Sequence, residues 1–221
     1  MDLDVNSPAS GSSFPRREAR ARQTRLDVLA AAARLFVASG YGATTLQGVA
    51  DEAGVAVQTI YAVFGNKRTL LEQLLDVAIA GDDEQVVVND RDWMKPVFAA
   101  PSAVERLHAY AFVVRRINGR AGDLFGVLES AASIDGDLVG LAEMTESRRR
   151  TGAGSVIASV MAVGRLRKGL DVDHAVDVLW LLNGSAVFRH LVRNAGWSLD
   201  EYEQWLAMAM VEQLLGSAPS T

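Results

Sequence analysis

Residues 40–71 form the stretch GYGATTLQGVADEAGVAVQTIYAVFGNKRTLL, from which most of the fold can be worked out. Thr44 and Gln47 have the Thr-x-x-Gln spacing of a capping box, in which each side chain binds a free backbone N–H of the first helical turn. This spacing predicts a short helix over about 45–53. Gly54 follows it and permits the left-handed backbone with which a chain leaves a helix abruptly.

A second short helix is predicted beyond this turn, over about 56–64, with Val55 and Ile60 turned inward. Two short helices across a tight glycine turn form a helix-turn-helix, in which the first helix braces the second. Asn66 can cap the next helix, which is predicted over about 67–80.

Helical periodicity continues on both sides of this motif. Upstream, an apolar stripe on an Ala-rich segment begins at Leu26 and stops at Gly40. Downstream, after an irregular connector over 81–101, Ser102 and Glu105 form another capping box. Further helices are predicted up to about 118 and over 121–133, 137–164, 172–195 and 199–215, the last opened by Ser198 with Glu201. No alternating strand pattern of useful length occurs in the sequence, so the predicted fold is all-α.

The composition is typical of a soluble globular protein, with 221 residues of which 49% are hydrophobic and 22% charged. The cysteine count of zero excludes disulfides and cysteine-bound metals. The longest charge-free run, over 35–50, has 16 residues, fewer than the roughly 18 apolar residues of a membrane span. The N-terminal sequence lacks the apolar segment of a secretory signal. We therefore expect a cytoplasmic protein with no membrane contact.

Charge is distributed unevenly along the chain. The formal net charge is −5, but residues 14–68 contain eight basic and four acidic residues, a net charge of +4. From residue 69 onward, 14 basic and 21 acidic residues give −7. A basic front end on an acidic body indicates a local footprint for a polyanion, although a basic first helix alone is more often a solvated face.

The residues around the predicted turn resemble the DNA-binding domain of the TetR family of bacterial transcriptional regulators. The resemblance is carried by GYGATTL over 40–46, ADEAGV over 50–55 and TIYAVFGNKRTLL over 59–71, and it covers about 22–75. Several anchor residues at fixed spacing make this resemblance specific.

The resemblance implies a domain order: a disordered tail over 1–15, a three-helix DNA-binding domain with the helix-turn-helix over 16–66, and a helical effector-binding and dimerisation domain over 67–221. It also implies that the third helix of the DNA-binding domain enters the major groove.

The family's DNA-contacting positions carry over to individual residues of this sequence, which are Thr45, Val57, Gln58, Thr59, Tyr61, Val63 and Lys67. Thr45 would place its hydroxyl and backbone N–H near a phosphate, or it is merely a helix-start residue. Gln58, Thr59 and Tyr61 offer polar groups to bases or phosphates, whereas the two valines offer only apolar contact, for example to a thymine methyl. Lys67 would supply a charge to the DNA backbone.

The predicted recognition helix departs from the usual pattern in two ways. Ala56 stands where the family usually has Ser or Thr, so the helix lacks the expected N-cap side chain. It also has no arginine, the commonest reader of guanine. We therefore expect few direct base contacts, with DNA shape and a basic arm contributing. The arm offers Arg16, Arg17 and Arg20, which are expected to follow phosphates or enter a minor groove.

The predicted helix over 172–195 is apolar on more than one face, which a single partner cannot cover. Together with the last helix it is expected to form a four-helix interface with a second copy, as the resemblance implies. The alternative is an internal core alone. The predicted interface residues are Val178, Leu179, Leu182, Ala186, Tyr202, Trp205, Leu206 and Ala209.

An apolar effector pocket is predicted among the middle helices, although most of its candidate residues are equally typical of plain core. These candidates are Trp93, Phe98, His108, Phe112, Phe125, Leu128, Met144 and Asn183. His108 is more typical of a hydrogen-bonded core histidine than of a ligand contact, and Asn183 could satisfy either a partner or a ligand.

These features predict a homodimeric, ligand-responsive regulator, most typically a repressor that binds a palindromic operator in double-stranded DNA and is released by a small-molecule effector. Two alternatives stay open: a dimeric sensor that does not bind DNA, and an activator of the same fold. An enzyme is not predicted, nor any metal or cofactor. The three histidines lack metal-ligand spacing, and no Gly-rich phosphate loop or serine nucleophile elbow is present.

Overall fold

In the computed structural model, residues 13–84 and 86–215 are described. Every regular element among them is helical, which confirms the predicted all-α fold. Most of the predicted tail, over 1–12, lies outside the described residues, and Ser13 already begins the first helix.

The chain divides into two compact units between Leu71 and Glu72. The predicted boundary after residue 66 lies five residues before this division. The physical reason is the first turn of the fourth helix, where the Lys67 ammonium donates hydrogen bonds to backbone carbonyls of the first unit.

The described part of the first unit contains helices that follow one another with short turns. These are α1 (Ser13–Ala43), α2 (Leu46–Ala53), α3 (Val57–Phe64) and the start of α4 (Lys67–Ala80), which continues into the second unit. Apolar side chains of α1, α2 and α3 fill its core, with Val28, Phe36, Val49 and Ile60 inaccessible or nearly so. The Phe36 ring stacks on Tyr41, with 5.6 Å between ring centroids.

The helix boundaries around the motif follow the predicted turns with one correction. α1 is interrupted at Gly40, which has φ 78° and ψ 165°, and α2 ends at the left-handed Gly54. The predicted capping box at Thr44 is wrong, because the Thr44 hydroxyl donates to Gly40 O at 2.8 Å. Thr45 is the N-cap instead, and its hydroxyl oxygen accepts from Gly48 N at 3.0 Å.

The second unit contains the rest of α4 and the helices that follow it. These are α5 (Lys95–Ala99), α6 (Ala103–Ala132), α7 (Val139–Val163), α8 (Val172–Leu182), α9 (Ser185–Phe188), which continues as a π-helical segment Arg189–Asn194, and α10 (Leu199–Leu215). The capping boxes at Ser102 and Ser198 are both present as predicted. The helix α6 packs against α7, α9 and α10.

Two predicted helix boundaries in this unit are wrong. α6 runs without a break through Asn118 and Gly119, because Asn118 is buried and bonded within the core, which outweighs the cost of about 1 kcal/mol for a helical glycine. The predicted helix over 172–195 ends at Leu182, since Gly184 adopts extended backbone with φ −66° and ψ 143°. The carbonyl of Trp180 at this helix end is satisfied by Arg149.

By length and hydropathy alone, one helix in the described part of the chain, over 16–43, could span a membrane, as could the bent pair 172–182 and 185–194 taken together. The core helix of a soluble protein meets the same criterion. In the first of these helices Val28, Ala31 and Ala32 are buried, and α1 packs against α2.

Candidate nucleic-acid interface

The helix α3 has a buried face and an exposed face, and its two buried residues determine which is which. Ile60 and Phe64 are one turn apart and both lie in the core. The opposite face is centred on Ala62 and Gln58, which are both exposed. This exposed face of α3 is accessible to a ligand as large as a DNA duplex.

The predicted contact residues of α3 are distributed around this exposed face. Gln58 is exposed and Thr59 is half-buried beside it. The Tyr61 side chain is 55% exposed on one flank and Val63 is exposed on the other. Ala62 was not predicted, although the phase set by Ile60 and Phe64 could have identified it.

The N-termini of α2 and α3 differ in how their backbone N–H groups are satisfied. Thr45 is exposed and caps α2 with its hydroxyl oxygen, so its hydroxyl proton can still donate to a phosphate. Ala56 precedes α3 without any side-chain cap, as its sequence predicts. Val57, the first residue of α3, is half-buried.

Lys67 has a structural role that the sequence did not predict. Its ammonium donates to Tyr41 O at 2.8 Å and to Thr44 O at 3.0 Å, and it lies 4.2 Å from the centroid of the Tyr41 ring. These contacts fasten the start of α4 to the junction of α1 and α2. A contact between Lys67 and a phosphate stays a prediction.

The basic arm is helical where it is described. Arg16, Arg17 and Arg20 are all exposed on the first turns of α1. The helix α1 continues through these residues to Ser13. Further along α1, Arg34 forms an ion pair with Glu52 of α2 at 2.9 Å, which leaves the basic character of this unit concentrated at the start of α1.

A cavity of about 500 Å³ lies within the second unit, among α4, α6 and α7. Its wall is largely apolar, with Leu75, Ile79, Val113 and Phe125 among the lining residues. A volume of this size suits a drug-sized organic molecule.

The predicted pocket residues are mostly placed elsewhere. Phe125 and Asn183 line the cavity, and their contact with a ligand stays a prediction. The remaining candidates do not line it: Trp93 and Phe98 pack against the core beside it, Leu128 is buried, Met144 is half-buried, and His108 and Phe112 are exposed. His108 is thus neither the ligand contact nor the core histidine that the sequence suggested, because helix phase turns it to the surface of α6.

Polar residues at one part of the cavity wall form a hydrogen-bonded network that spans four elements. Arg149 of α7 donates to Asn183 Oδ1, and Asn183 Nδ2 donates to the Tyr110 hydroxyl at 2.8 Å. Asn118 Nδ2 donates to Asn183 O at 3.2 Å and to the Tyr202 hydroxyl at 3.3 Å. The buried side chains of this network were largely missed from the sequence, since lone Asn and Tyr residues in apolar helices give no distinct signal.

Acidic residues lie at another part of the wall. Glu72 and Asp76 are one turn apart on α4 and both line the cavity. Desolvation raises the pKa of Asp76; Arg148 acts in the opposite direction, and Glu72 raises it further. This side of the cavity is therefore unfavourable for an anion.

The predicted dimer residues fall into two groups. Leu179, Tyr202 and Leu206 are fully buried in their own chain, so their assignment to an interface is wrong: they face α6 and the core rather than a second copy. The remaining predicted residues are exposed or half-buried and can still meet a partner; they are Val178, Leu182, Ala186, Trp205 and Ala209. Leu181 and Met208, which were not predicted, are 67% and 61% exposed on α8 and α10, which pack against each other.

The fold and this site define a helix-turn-helix DNA-binding protein with a separate helical unit that encloses a cavity. The family model described as bacterial regulatory proteins of the tetR family matches residues 28–74. The chain therefore carries the DNA-binding domain of the TetR family of bacterial transcriptional regulators at its N-terminal end. The similarity to transcriptional regulators agrees with the prediction that the chain is not an enzyme.

Two curated relatives are named as HTH-type transcriptional regulators. The chain is 24% identical over 196 residues to a probable HTH-type transcriptional regulator, ArpR of Pseudomonas putida, covering 86% of this chain and 91% of that protein. It is 41% identical over 61 residues to the HTH-type transcriptional regulator TtgR, also of Pseudomonas putida, covering 28% and 29% of the two chains. The fold is shared with the fatty acid degradation regulator FadR from Bacillus halodurans, with a TM-score of 0.65, 15% identity, and coverage of 85% of this chain and 94% of that one.

Proposed function

We propose that this protein is a cytoplasmic repressor that binds a palindromic operator as a homodimer and releases it when a small molecule enters the cavity. The observation that carries the proposal is the exposed face of α3, which presents Gln58, Tyr61 and Ala62 opposite a buried Ile60. An α-helix presented in this way fits the major groove.

Dimerisation is supported by the apolar surface of α8 and α10. Leu181 and Met208 expose large apolar side chains on two adjacent helices, and the half-buried Trp205 lies one turn before Met208. Two copies of such a helix pair form a four-helix interface around a two-fold axis. A two-fold arrangement matches a palindrome with half-sites about 34 Å apart.

Effector control is supported by the position of α4. Its second half lines the cavity through Leu75, Asp76 and Ile79, and its first turn, up to Leu71, belongs to the first unit. A ligand that prefers one position of α4 therefore acts on a helix shared with the DNA-binding unit. Coupling of this kind is typically about 1 to 3 kcal/mol.

A titration of fluorescently labelled genomic fragments by fluorescence anisotropy, at several salt concentrations, tests the DNA-binding proposal. We expect sequence-selective binding that weakens steeply with salt. Tyr61→Ala should weaken operator binding by roughly tenfold, the equivalent of one good contact, and should leave thermal stability nearly unchanged because Tyr61 is exposed. Val37→Ala, which also truncates an exposed side chain but lies on α1, is the control for both measurements.

The same titration separates this proposal from a dimeric sensor that does not bind DNA, a function favoured by the net charge of −5 and by the uncapped start of α3. An absence of binding at low salt would support the sensor. Equal loss of folding and DNA binding in Tyr61→Ala would show that Tyr61 is structural.

A further inference from the structure

In the hydrogen-bonded network on the cavity wall, the donor and the acceptor of each hydrogen bond are fixed. Arg149 can only donate, so its partner on Asn183 must be the amide oxygen. The Asn183 Nδ2 group therefore faces Tyr110, and the Tyr110 hydroxyl accepts from it at 2.8 Å. Because that oxygen accepts, its proton has to donate elsewhere.

Within residues 13–84 and 86–215, the Tyr110 hydroxyl does not donate a hydrogen bond to any protein group. Asn183 is the sole hydrogen-bond partner of the Tyr110 side chain in that part of the protein. Tyr110 is only 8% exposed and lines the cavity. A chain of hydrogen bonds that starts at a guanidinium polarises its last member, so this hydroxyl is a strengthened donor.

Asn118 offers the complementary group. Its Nδ2 donates to the backbone carbonyl of Asn183, which fixes the orientation of the amide, and its Oδ1 accepts nothing from the described residues. Among those residues, the side-chain N and O atoms that are inaccessible and also lack a hydrogen-bond partner are Arg91 Nε and Arg189 Nη1. Asn118 Oδ1 lacks a partner but is not one of these atoms, so it is accessible. Since Asn118 is 3% exposed and lines the cavity, this oxygen opens into it.

The charge of the surroundings determines which ligands suit these two groups. Arg149 is already paired with Glu146, so the network carries no unpaired positive charge. Burial raises the pKa of Tyr110, which keeps its hydroxyl protonated and able to donate at neutral pH. A buried anion would therefore lack a countercharge at this network. Elsewhere on the wall, the charge of Arg148 acts on Asp76 and is offset by the two carboxylates Glu72 and Asp76.

We propose that the effector is an apolar molecule whose buried end carries an uncharged hydroxyl or amide, which accepts from the Tyr110 hydroxyl and donates to Asn118 Oδ1. The proposal rests on the proposed function of the cavity as the effector site, and it specifies the chemical class of the effector.

Four naphthalene probes of similar shape test the proposal on the full-length protein: 2-naphthol, 2-methoxynaphthalene, 2-methylnaphthalene and 2-naphthoate. Binding is measured by fluorescence titration. We expect 2-naphthol to bind roughly tenfold more tightly than 2-methylnaphthalene, with 2-methoxynaphthalene, which can accept but not donate, in between and 2-naphthoate weakest. Equal binding of 2-naphthol and 2-methylnaphthalene, as expected if ordered water satisfies both protein groups, would overturn the proposal. So would no detectable binding of 2-naphthol, or tightest binding of 2-naphthoate.

Two Tyr→Phe variants localise the contact. Tyr110→Phe removes the cavity hydroxyl and should weaken 2-naphthol binding roughly fivefold while leaving 2-methylnaphthalene unchanged. Tyr202→Phe removes a hydroxyl from the same network that does not line the cavity, so it should leave both affinities unchanged. Equal effects of the two variants would overturn the assignment to Tyr110.

Operator binding and thermal unfolding are measured on the same preparations. Loss of probe selectivity with intact DNA binding contradicts this inference alone, whereas absence of DNA binding with intact probe selectivity contradicts the repressor proposal alone.

Discussion

The Lys67 ammonium is bonded to the Tyr41 carbonyl at 2.8 Å and lies 4.2 Å from the centroid of the Tyr41 ring. One side chain thereby satisfies a carbonyl near the end of α1 and holds the ring that stacks on Phe36. A lysine at the start of the fourth helix thus holds that helix against the end of α1 within the DNA-binding unit.

Lys67→Met should destabilise the protein by about 2 kcal/mol, because it removes charge-assisted hydrogen bonds to two carbonyls together with a cation–π contact. Urea unfolding followed by circular dichroism measures this loss. Arg68→Met removes the neighbouring, exposed cation and should change the free energy of unfolding little. A Lys67→Met variant with unchanged stability and weakened DNA binding would show instead that Lys67 is mainly a phosphate ligand.

The caps of α2 and α3 give a pair of opposite predictions. Thr45→Ala removes the hydroxyl that accepts from Gly48 N and should cost about 1 kcal/mol. Ala56→Ser introduces a cap where none exists and should raise the free energy of unfolding by about 1 kcal/mol. Denaturant titrations measure both changes. A destabilising Ala56→Ser would mean that the backbone at the start of α3 cannot bring a hydroxyl onto its free N–H groups.

The arm arginines should contribute to the salt dependence of DNA binding. Replacing Arg16, Arg17 and Arg20 by alanine should make the negative slope of log K against log salt shallower, by roughly 0.9 for each phosphate that these side chains neutralise. Anisotropy titrations across a salt series measure the slope. Arg165→Ala with Lys168→Ala removes two exposed cations from the second unit and should leave the slope unchanged. An unaltered slope in the triple variant would show that the arm arginines do not contact DNA phosphates.

Close packing of α6 on the end of α9 makes Gly122 sensitive to substitution. A Cβ at this position would lie 2.7 Å from Phe188 Cδ1, and the Phe188 ring is fully buried and held edge-on against Tyr202. Gly122→Ala should therefore destabilise the protein by about 1 to 3 kcal/mol through overpacking. Gly154→Ala, in α7 with open space around its Cβ, should instead stabilise it by about 0.5 to 1 kcal/mol. Thermal unfolding measures the stability of both variants. A shift of the melting temperature in the same direction for both would contradict the packing argument.

The proposed dimer should separate when its apolar surface receives a charge. Leu181→Asp combined with Met208→Asp would bury two uncompensated carboxylates, each costing several kcal/mol. Light scattering coupled to size-exclusion chromatography should show half the mass of the unchanged protein. Ile134→Asp places the same charge at an exposed position outside α8 and α10 and should not change the mass. A monomer before any substitution would exclude the proposed interface.

Local patterns in the sequence predicted the DNA-binding unit well. The stop at Gly40, the left-handed Gly54 and the Asn66 cap, whose side-chain oxygen accepts from Thr69 N at 2.9 Å, all depend on residues within a few positions of one another. The cap of α2 was predicted one residue too early, at Thr44 instead of Thr45, because two threonines are adjacent in the sequence. Only the backbone geometry shows which of them faces the free N–H groups.

Long-range packing decided what local patterns could not. Leu179 and Leu181 are two residues apart in one apolar helix, yet the first is fully buried and the second is 67% exposed. The sequence assigned Leu179 to an interface because an apolar stripe shows that a face needs covering without showing what covers it.

The order of the helices in the first unit, most of their caps and the phase of α3 were therefore readable from neighbouring residues, since backbone hydrogen bonding and helical phase are local properties. The cavity, its polar wall and the surface left for a partner came from the packing of distant segments. Tyr110 and Asn183 are separated by 73 positions and meet only because α6, α7 and the end of α8 are brought together by the burial of apolar side chains.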